Sequence, residues 1–487
     1  MKFIYDKSKL PRPILNGHEE WVDIYYKAWE LAFKNVAYIE KEGWKPMLTC
    51  MPGVNITWQW DSCIMTLITN YSNSTLNAFN NLDNLYRLRN KENGFMSMAY
   101  SIDTEDEAYP GRINPPLMAW VEWEHYLISG DKSRFVEVLP ALEGCFDFIE
   151  KNRTRSEGLY YFEDPGSSGM DNAPRGGYFA PDLKGSDVCF VDLACQQAMS
   201  AKYISLMNSV VGDDNKAQYY MDEYERICAL INKYHWNDKG RYYYDFFARD
   251  CAEDRVKHIP CKTAAAFWTI MAGAARGERL KAMVEHLFNE DEFYTKIPFA
   301  TLSRDDINYD KTGGYWLGGV WAPTNTAAIR GLTQNGYGAL AREAAMKYLN
   351  AICNVNANPL YTSIWEAYAP EEYRPATTEN GNICRADFVG WSGIAPITML
   401  IENIIGIKPD AHNNTVRFDV PREACGIENM QFNGGVISVE CTSYESLRGK
   451  TVIRVKTQKP IKLVVRTNYL FADVIFELEG GEHEVRV

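Results

Sequence analysis

The chain has 487 residues, too many for one ordinary compact core, so two domains or one large closed architecture is expected. Composition is ordinary for a soluble globular protein, with 46% hydrophobic and 24% charged residues. A net charge of −13 argues against nucleic acid and anionic membrane surfaces as partners.

Twelve cysteines are scattered singly, without a C-x-x-C pair or a histidine cluster at metal spacing. They read as reduced, buried thiols rather than a disulfide framework or a zinc site, and the function expected below needs no metal or organic cofactor. No apolar run reaches the length of a membrane span. The opening MKFIYDKSKLPRP has no apolar stretch, so a cytoplasmic location is expected, or a secreted form read without its signal.

From about residue 17 to 405 the periodicity predicts twelve helices. They start near Gly17, Ser62, Asn73, Pro115, Lys132, Asp187, Asp213, Cys261, Arg276, Ala322, Tyr337 and Phe388. The joins alternate short and long, the long ones covering about 43–61, 91–114, 153–186, 236–260, 291–321 and 354–387. Loops beyond about 12–15 residues are uncommon in compact domains and usually functional. Helices after a short join carry one charged face, as in KAQYYMDEYERICALINKYHW (216–236). Those after a long join are apolar or small nearly all round, as in VCFVDLACQQAMSAKYISLM (188–207). The first kind faces solvent and the second is buried. Six outer and six inner helices in strict alternation close into an (α/α)6 barrel, with all six long loops at one end. After Pro409 the pattern changes to period two and is rich in valine, as in TVRFDV, KTVIRVKT and GEHEVRV. The expected division is therefore a barrel over 1–409 and a small antiparallel β-domain over 410–487.

The long loops carry WQWDS (58–62), GRINPP (111–116), GMDNAPR (169–175), HWNDKGRYYYD (235–245), GGYWLGGVWAPTN (313–325) and SIWEAYAPE (363–371). In GSSGMDNAPRGG, Gly166 to Gly177, glycines on both sides free the backbone around a single carboxylate, Asp171. Asn172 and Arg175 stand close enough in sequence to hydrogen-bond whatever sits there. A plain surface turn built on an Asx motif would use the same residues. Aromatic residues make up 13% of the chain, and their faces suit the C–H faces of sugar rings, although a large core also consumes them.

Together these motifs resemble the catalytic domain of inverting α-glycosidases of glycoside hydrolase family 63 and the related trehalases of family 37. Those families share an early WD motif, R-x-x-x-PP, an SG-[MW]-D loop, YW-x-G-x-VW and a glutamate in a W-E-x-Y context. The resemblance covers about 40–405, with five motifs in the expected order. It implies Asp171 as general acid and Glu366 as general base. Gly319 in YWLGGVW stands where proline is common, and the N-terminal β-domain of larger members is absent. The chemistry agrees, since an inverting hydrolase needs two carboxylates on opposite faces of the scissile bond. Asp171 belongs to the third hairpin and Glu366 to the sixth.

Asp61 either binds sugar hydroxyls or caps the inner helix behind it. Arg112 holds a hydroxyl or the acid, or makes a structural ion pair. Asn114, Asn172 and Arg175 complete the polar set expected around substrate. Trp58, Trp60, Trp316, Trp321, Trp365 and Trp391 are expected to line the sugar pocket, although any one of them also suits the core. His235 reads as structural. Glu122, Glu124 and His125 read as ion-paired rather than metal-binding. The expected function is an inverting, exo-acting hydrolysis of an α-glycoside, most simply an α-glucoside, in a small oligosaccharide. A sugar isomerase or epimerase on the same barrel, which would need histidine acid–base pairs, and a non-catalytic sugar-binding protein are the alternatives.

Overall fold

The computed structural model describes residues 2–175, 184–248, 257–446, 450–467 and 472–487. Gly176 and Gly177 of the Asp171 loop, and parts of the 153–186 and 236–260 joins, lie outside the described residues.

Six helices form an outer set: α1 Glu19–Lys34, α3 Asn80–Leu88, α5 Ser133–Asn152, α7 Asp214–Tyr234, α9 Gly277–Leu287 and α11 Gly338–Ala357. Between them run the inner elements: α2 Gln59–Thr69, α4 Met118–Ser129, α6 Val191–Val211, α8 Trp268–Met271 with its lead-in Ala264–Phe267, α10 Ala322–Gln334 and α12 Ala395–Ile405. Burial separates the two sets. All eleven residues of α2 and 16 of the 21 in α6 are buried, against five of 21 in α7. Each large apolar side chain so buried contributes roughly 1.5–3 kcal/mol, and α2, α6, α10 and α12 supply such side chains on every face. The inner helices touch in the order α2, α4, α6, α8, α10, and α10 reaches the turn Ser392–Ile394 that opens α12 and packs back on α2. The ring is thereby closed. This is an (α/α)6 barrel.

α12 is a wide, π-type helix, and Gly406 ends it in the left-handed region with its N–H donating to the Ile401 carbonyl. α3 begins at Asn80 rather than near Asn73, because Asn73 and Ser74 both take positive φ and turn the chain first.

One end of the barrel is plugged. Arg330 of α10 reaches across to Glu124 of α4 at 2.7 Å and to Glu402 of α12 at 2.8 Å. Tyr71 donates to Glu402 and Trp120 to Glu124, both at 2.8 Å. Glu122 pairs with Arg134 at 2.7 Å, and His125 Nδ1 meets Asn70 Oδ1 at 2.8 Å. All three α4 residues therefore have protein partners. His235 is fully buried, with Nδ1 on the Tyr244 carbonyl at 2.7 Å.

Two sheets lie against the plugged end. With β1 Arg12–Leu15, β2 Ile407–Asp410, β3 Thr415–Asp419, β4 Cys425–Phe432, β5 Gly435–Ser443, β6 Val452–Thr457, β7 Ile461–Arg466, β8 Val474–Leu478 and β9 Gly481–Arg486, the orders are β1-β4-β5-β6-β9 and β2-β3-β7-β8. Asn433 and Gly434 join β4 to β5, both at positive φ, as a two-residue hairpin of this twist requires. Arg12 pairs with Glu428, so the first strand of the chain completes a sheet otherwise built after residue 424. The second sheet starts at Ile407, three residues ahead of the expected division. Asn433 N–H donates to the Ile128 carbonyl at the end of α4, which seats the β-domain away from the long loops.

Among the described residues no helix is long and apolar enough to cross a membrane, and no three His, Cys, Asp or Glu side chains gather as a metal site. The eleven described cysteines are buried and unbridged.

Candidate active site

At the N-terminal ends of the inner helices lies a cavity of about 410 Å³. Five of the six long joins reach it. They bring Trp58, Trp60 and Asp61; Arg112 and Asn114; Asp171; Trp316 and Trp321; and Glu366, with Trp391 at the entry to α12. Ten of the thirteen predicted site residues therefore share one wall. Cys50, Met98, Tyr109, Asp164, Tyr315, Arg385 and Phe388 line it too and were not anticipated.

Four indoles tile the floor. Trp316 stacks on Trp321 with centroids 4.1 Å apart and planes at 10°. Trp60 lies 6.1 Å from both Trp316 and Trp391. Among the described residues the indole N–H groups of Trp60 and Trp316 have no acceptor, although both are buried. Such donors are available to the hydroxyls of a bound sugar.

The Asp171 loop is held at several points. Gly169 takes φ +80°, and a Cβ there would fall 1.8 Å from the Trp60 ring, so only glycine lets the loop press against the start of α2. Asn114 accepts from Trp60 N–H and donates to the Ser167 carbonyl, both at 2.9 Å. Asn172 donates to the Gly314 carbonyl and accepts from Trp316 N–H, again at 2.9 Å. Both amides lie near the cavity but are committed to backbone. Asn114 lines the wall, and Asn172 stands behind it.

Arg175 is not at the cavity. Its guanidinium is buried between Asp192, at 2.6 and 2.8 Å, and Asp245, at 2.6 and 2.9 Å. Asp245 also accepts from Val191 N–H, which ties the loop to the first turn of α6. An arginine so completely bound has no donor left for substrate, and this corrects its expected role. Trp365 also lies outside the lining, its indole N–H spent on the Tyr361 carbonyl at 2.9 Å. Gly319 packs so that a Cβ would sit 2.3 Å from the Tyr315 carbonyl oxygen.

Glu366 is buried on a short ladder. Its N–H donates to the Arg385 carbonyl at 2.9 Å, and Arg385 N–H returns to Oε2 at 3.3 Å. The Tyr315 hydroxyl donates to Oε1 at 3.2 Å, and the Trp391 indole N–H holds the Glu366 carbonyl at 2.9 Å. Burial raises its proton affinity, which the Arg385 N–H and charge and the Tyr315 hydroxyl partly offset.

Asp171 is open to solvent at the cavity mouth, but protein encloses it on the other sides. Burial first, and then the charge of Glu366, push its carboxyl up to about 7. Asp61, in the first turn of α2 (which starts at Gln59 rather than Ser62), is buried and likewise pushed up to about 7. Burial is the largest cause there, with Glu366 and Asp171 adding repulsion and its own backbone N–H opposing. Arg112 lies over Tyr109 and 3.6 Å from Asp164, half-exposed at the rim. Three carboxylates of raised proton affinity thus face one space, where at neutral pH one can give a proton while another accepts one.

Fold and site together define a glycoside hydrolase. The family model of the mannosylglycerate hydrolase MGH1-like glycoside hydrolase domain matches residues 55–382, and the chain belongs to that family. An uncharacterized protein of Borreliella burgdorferi is 26% identical over 454 residues, covering 90% of each chain. The mannosyl-oligosaccharide glucosidase of Saccharomyces cerevisiae is 24% identical over 311 residues, 61% of this chain and 35% of that one, so this chain matches about a third of that relative. Among solved structures, the family 63 mannosylglycerate hydrolase of Thermus thermophilus in complex with glucose superposes with a TM-score of 0.62 at 18% identity, over 77% of this chain and 99% of that one.

Proposed function

We propose that the chain is an exo-acting, inverting hydrolase of α-glycosides, α-glucosides first, with Asp171 as general acid and Glu366 as general base. The observation that carries this reading is the placement of these two carboxylates, from the third and sixth hairpins, on one cavity closed at the far end of the barrel by Arg330. A blind pocket within the ~300–1,000 Å³ of small-molecule sites admits the end of a saccharide rather than its middle. The sugar packs against the indole floor, with Asp61 and Arg112 on its hydroxyls. Asp171 delivers its proton to the glycosidic oxygen as the bond to the anomeric carbon breaks. Glu366 takes the proton of a water that adds from the opposite face, so an α-glycoside releases a β-anomer.

Support for the glucoside comes from the named activity of the yeast relative, and mannosylglycerate is the competing substrate named for the Thermus structure. Among the described residues no histidine lines the cavity, so the isomerase alternative finds no support. The test is sugar release from a panel of α-linked disaccharides, aryl α-glucosides and mannosylglycerate, with proton NMR of the first product. No release from any of them sinks the hydrolase assignment, release from mannosylglycerate alone sinks the glucoside, and initial α-anomer sinks inversion.

A further inference from the structure

We propose that Asn172 and Tyr315 form a clamp that sets the base against the acid, making both of them positioning residues for the carboxylate pair. The inference rests on the reading of Asp171 and Glu366 as acid and base.

Asn172 directly follows Asp171, and its amide brackets one residue of another loop. Its N–H donates to the carbonyl of Gly314, and its oxygen accepts from the N–H of Trp316, each at 2.9 Å. The residue between them is Tyr315. Tyr315 stands at φ +66°, a left-handed conformation that bulky side chains rarely adopt and that persists only where the surroundings hold it. Those surroundings are the Asn172 bracket on both sides, the Thr377 carbonyl on its own N–H at 2.6 Å, and the Trp321 indole N–H on its carbonyl at 3.0 Å. Its ring lies edge-on to Trp321, with centroids 4.8 Å apart. So held, its hydroxyl reaches Glu366 Oε1 at 3.2 Å.

A continuous route therefore runs from the acid to the base through one side-chain amide and one phenol. Moving the acid's loop moves the group that stabilises the ionised base. The other titratable or charged groups facing Glu366 are Arg385 beside it in the ladder, Cys384 next to Arg385, Cys50 and Asp61 from the α2 side, and Asp171 itself. Apart from Asp171, where the route begins, none of these lies on it. A donor to the charged form lowers a carboxyl's proton affinity, so losing the Tyr315 hydroxyl raises that of Glu366.

The test is a titration of Glu366 followed by NMR with glutamate labelled at the side-chain carboxyl carbon, its signal assigned by its absence in Glu366→Gln. In Tyr315→Phe the midpoint is expected to move up by about one pH unit. In Asn172→Ala it is expected to move the same way although Asn172 does not touch Glu366, and the double variant is expected to add nothing further. Where Asn172→Ala does not fold, Asn172→Ser, too short to span both backbone groups, takes its place. An unmoved midpoint in the Asn172 variant, or shifts that add in the double variant, overturns the clamp. The titration needs no substrate. A wild-type protein that hydrolyses no α-glycoside overturns the functional reading while the titration still decides the clamp. Where it does hydrolyse one, the acidic limb of kcat/KM is expected to follow the same shifts.

Discussion

Asp171 and Glu366 come from loops nearly two hundred residues apart, yet the charge on Glu366 is the largest contribution after burial to holding the Asp171 carboxyl at about 7. The coupling is mutual by thermodynamic necessity: a proton on one makes ionisation of the other easier. The N-terminal ends of the inner helices work the other way, since their dipoles favour negative charge at the cavity. Carboxylates coupled in this way can hold one proton among them, the state the proposed acid–base pair requires.

The first consequence is a bell-shaped pH profile. The acid must carry its proton, so kcat/KM falls as pH rises through about 7, where Asp171 and Asp61 titrate. The base must be ionised, so the rate also falls as pH drops through the raised value of Glu366. The optimum is expected on the mildly acidic side of neutrality, with at least about a tenfold loss by pH 9. Initial rates at subsaturating substrate check this, and a flat profile from pH 5 to 9 contradicts it.

Replacing either carboxylate separates their duties. Asp171→Asn and Glu366→Gln are each expected to lower kcat by roughly 10²–10⁴-fold. Neither should lower the melting temperature, because a neutral amide removes one of several like charges from the cavity. An aryl glycoside with a good leaving group is expected to restore much of the rate to Asp171→Asn and little to Glu366→Gln, since only the acid's contribution depends on leaving-group basicity. Equal rescue of both variants would reject the assignment.

The barrel was legible because its two kinds of helix differ in chemistry. α6 offers apolar or small residues on every face and α7 a charged stripe, so ring and alternation follow from the side chains alone. Trp60, Asp61, Asp171 and Glu366 were legible as unusual residues in long loops. What escaped depends on partners far off in sequence. Arg175 stands near Asp171 in the chain, but its two carboxylates are 17 and 70 residues away, and nothing in GMDNAPR announces them. Tyr315 opens the YWLGGVW motif, yet its contact with Glu366 spans 51 residues. β1 is four residues containing Pro13, and only pairing with β4 makes it a strand.

Asp61 ties function to stability. Its folded value of about 7 lies above the ~3.9 of an unfolded aspartate. A group raised in this way contributes its full stability below about pH 4 and loses it as pH rises through 7. Asp61→Asn, which cannot ionise, is therefore expected to be no more stable than wild type at pH 4 and more stable by roughly 2–4 kcal/mol at pH 8, while losing most activity. Thermal or urea denaturation at the two pH values reads this directly, and a pH-independent difference would show that Asp61 is not buried as a strained acid.

Arg175 carries the opposite sign. Burial disfavours its charge, but Asp192 and Asp245 more than compensate, so Arg175 remains a cation. Arg175→Met removes the cation and leaves two buried carboxylates 17 and 70 residues from it facing each other. Removing one partner of a buried ion pair costs about 3–5 kcal/mol. Burial already raises the Asp192 carboxyl against the pull of Arg175, and without the guanidinium that opposition is lost, so ionisation of the pair is disfavoured further. The penalty is then small near pH 4 and grows as pH climbs through neutrality. Arg175→Met is accordingly expected to melt close to wild type in acid and far below it at pH 8. Adding Asp192→Asn and Asp245→Asn should recover most of the alkaline loss but not the rate, because the mooring of the Asp171 loop to α6 is still gone. A melting difference that does not change between pH 4 and pH 8 would mean that Arg175 stabilises the loop by packing alone.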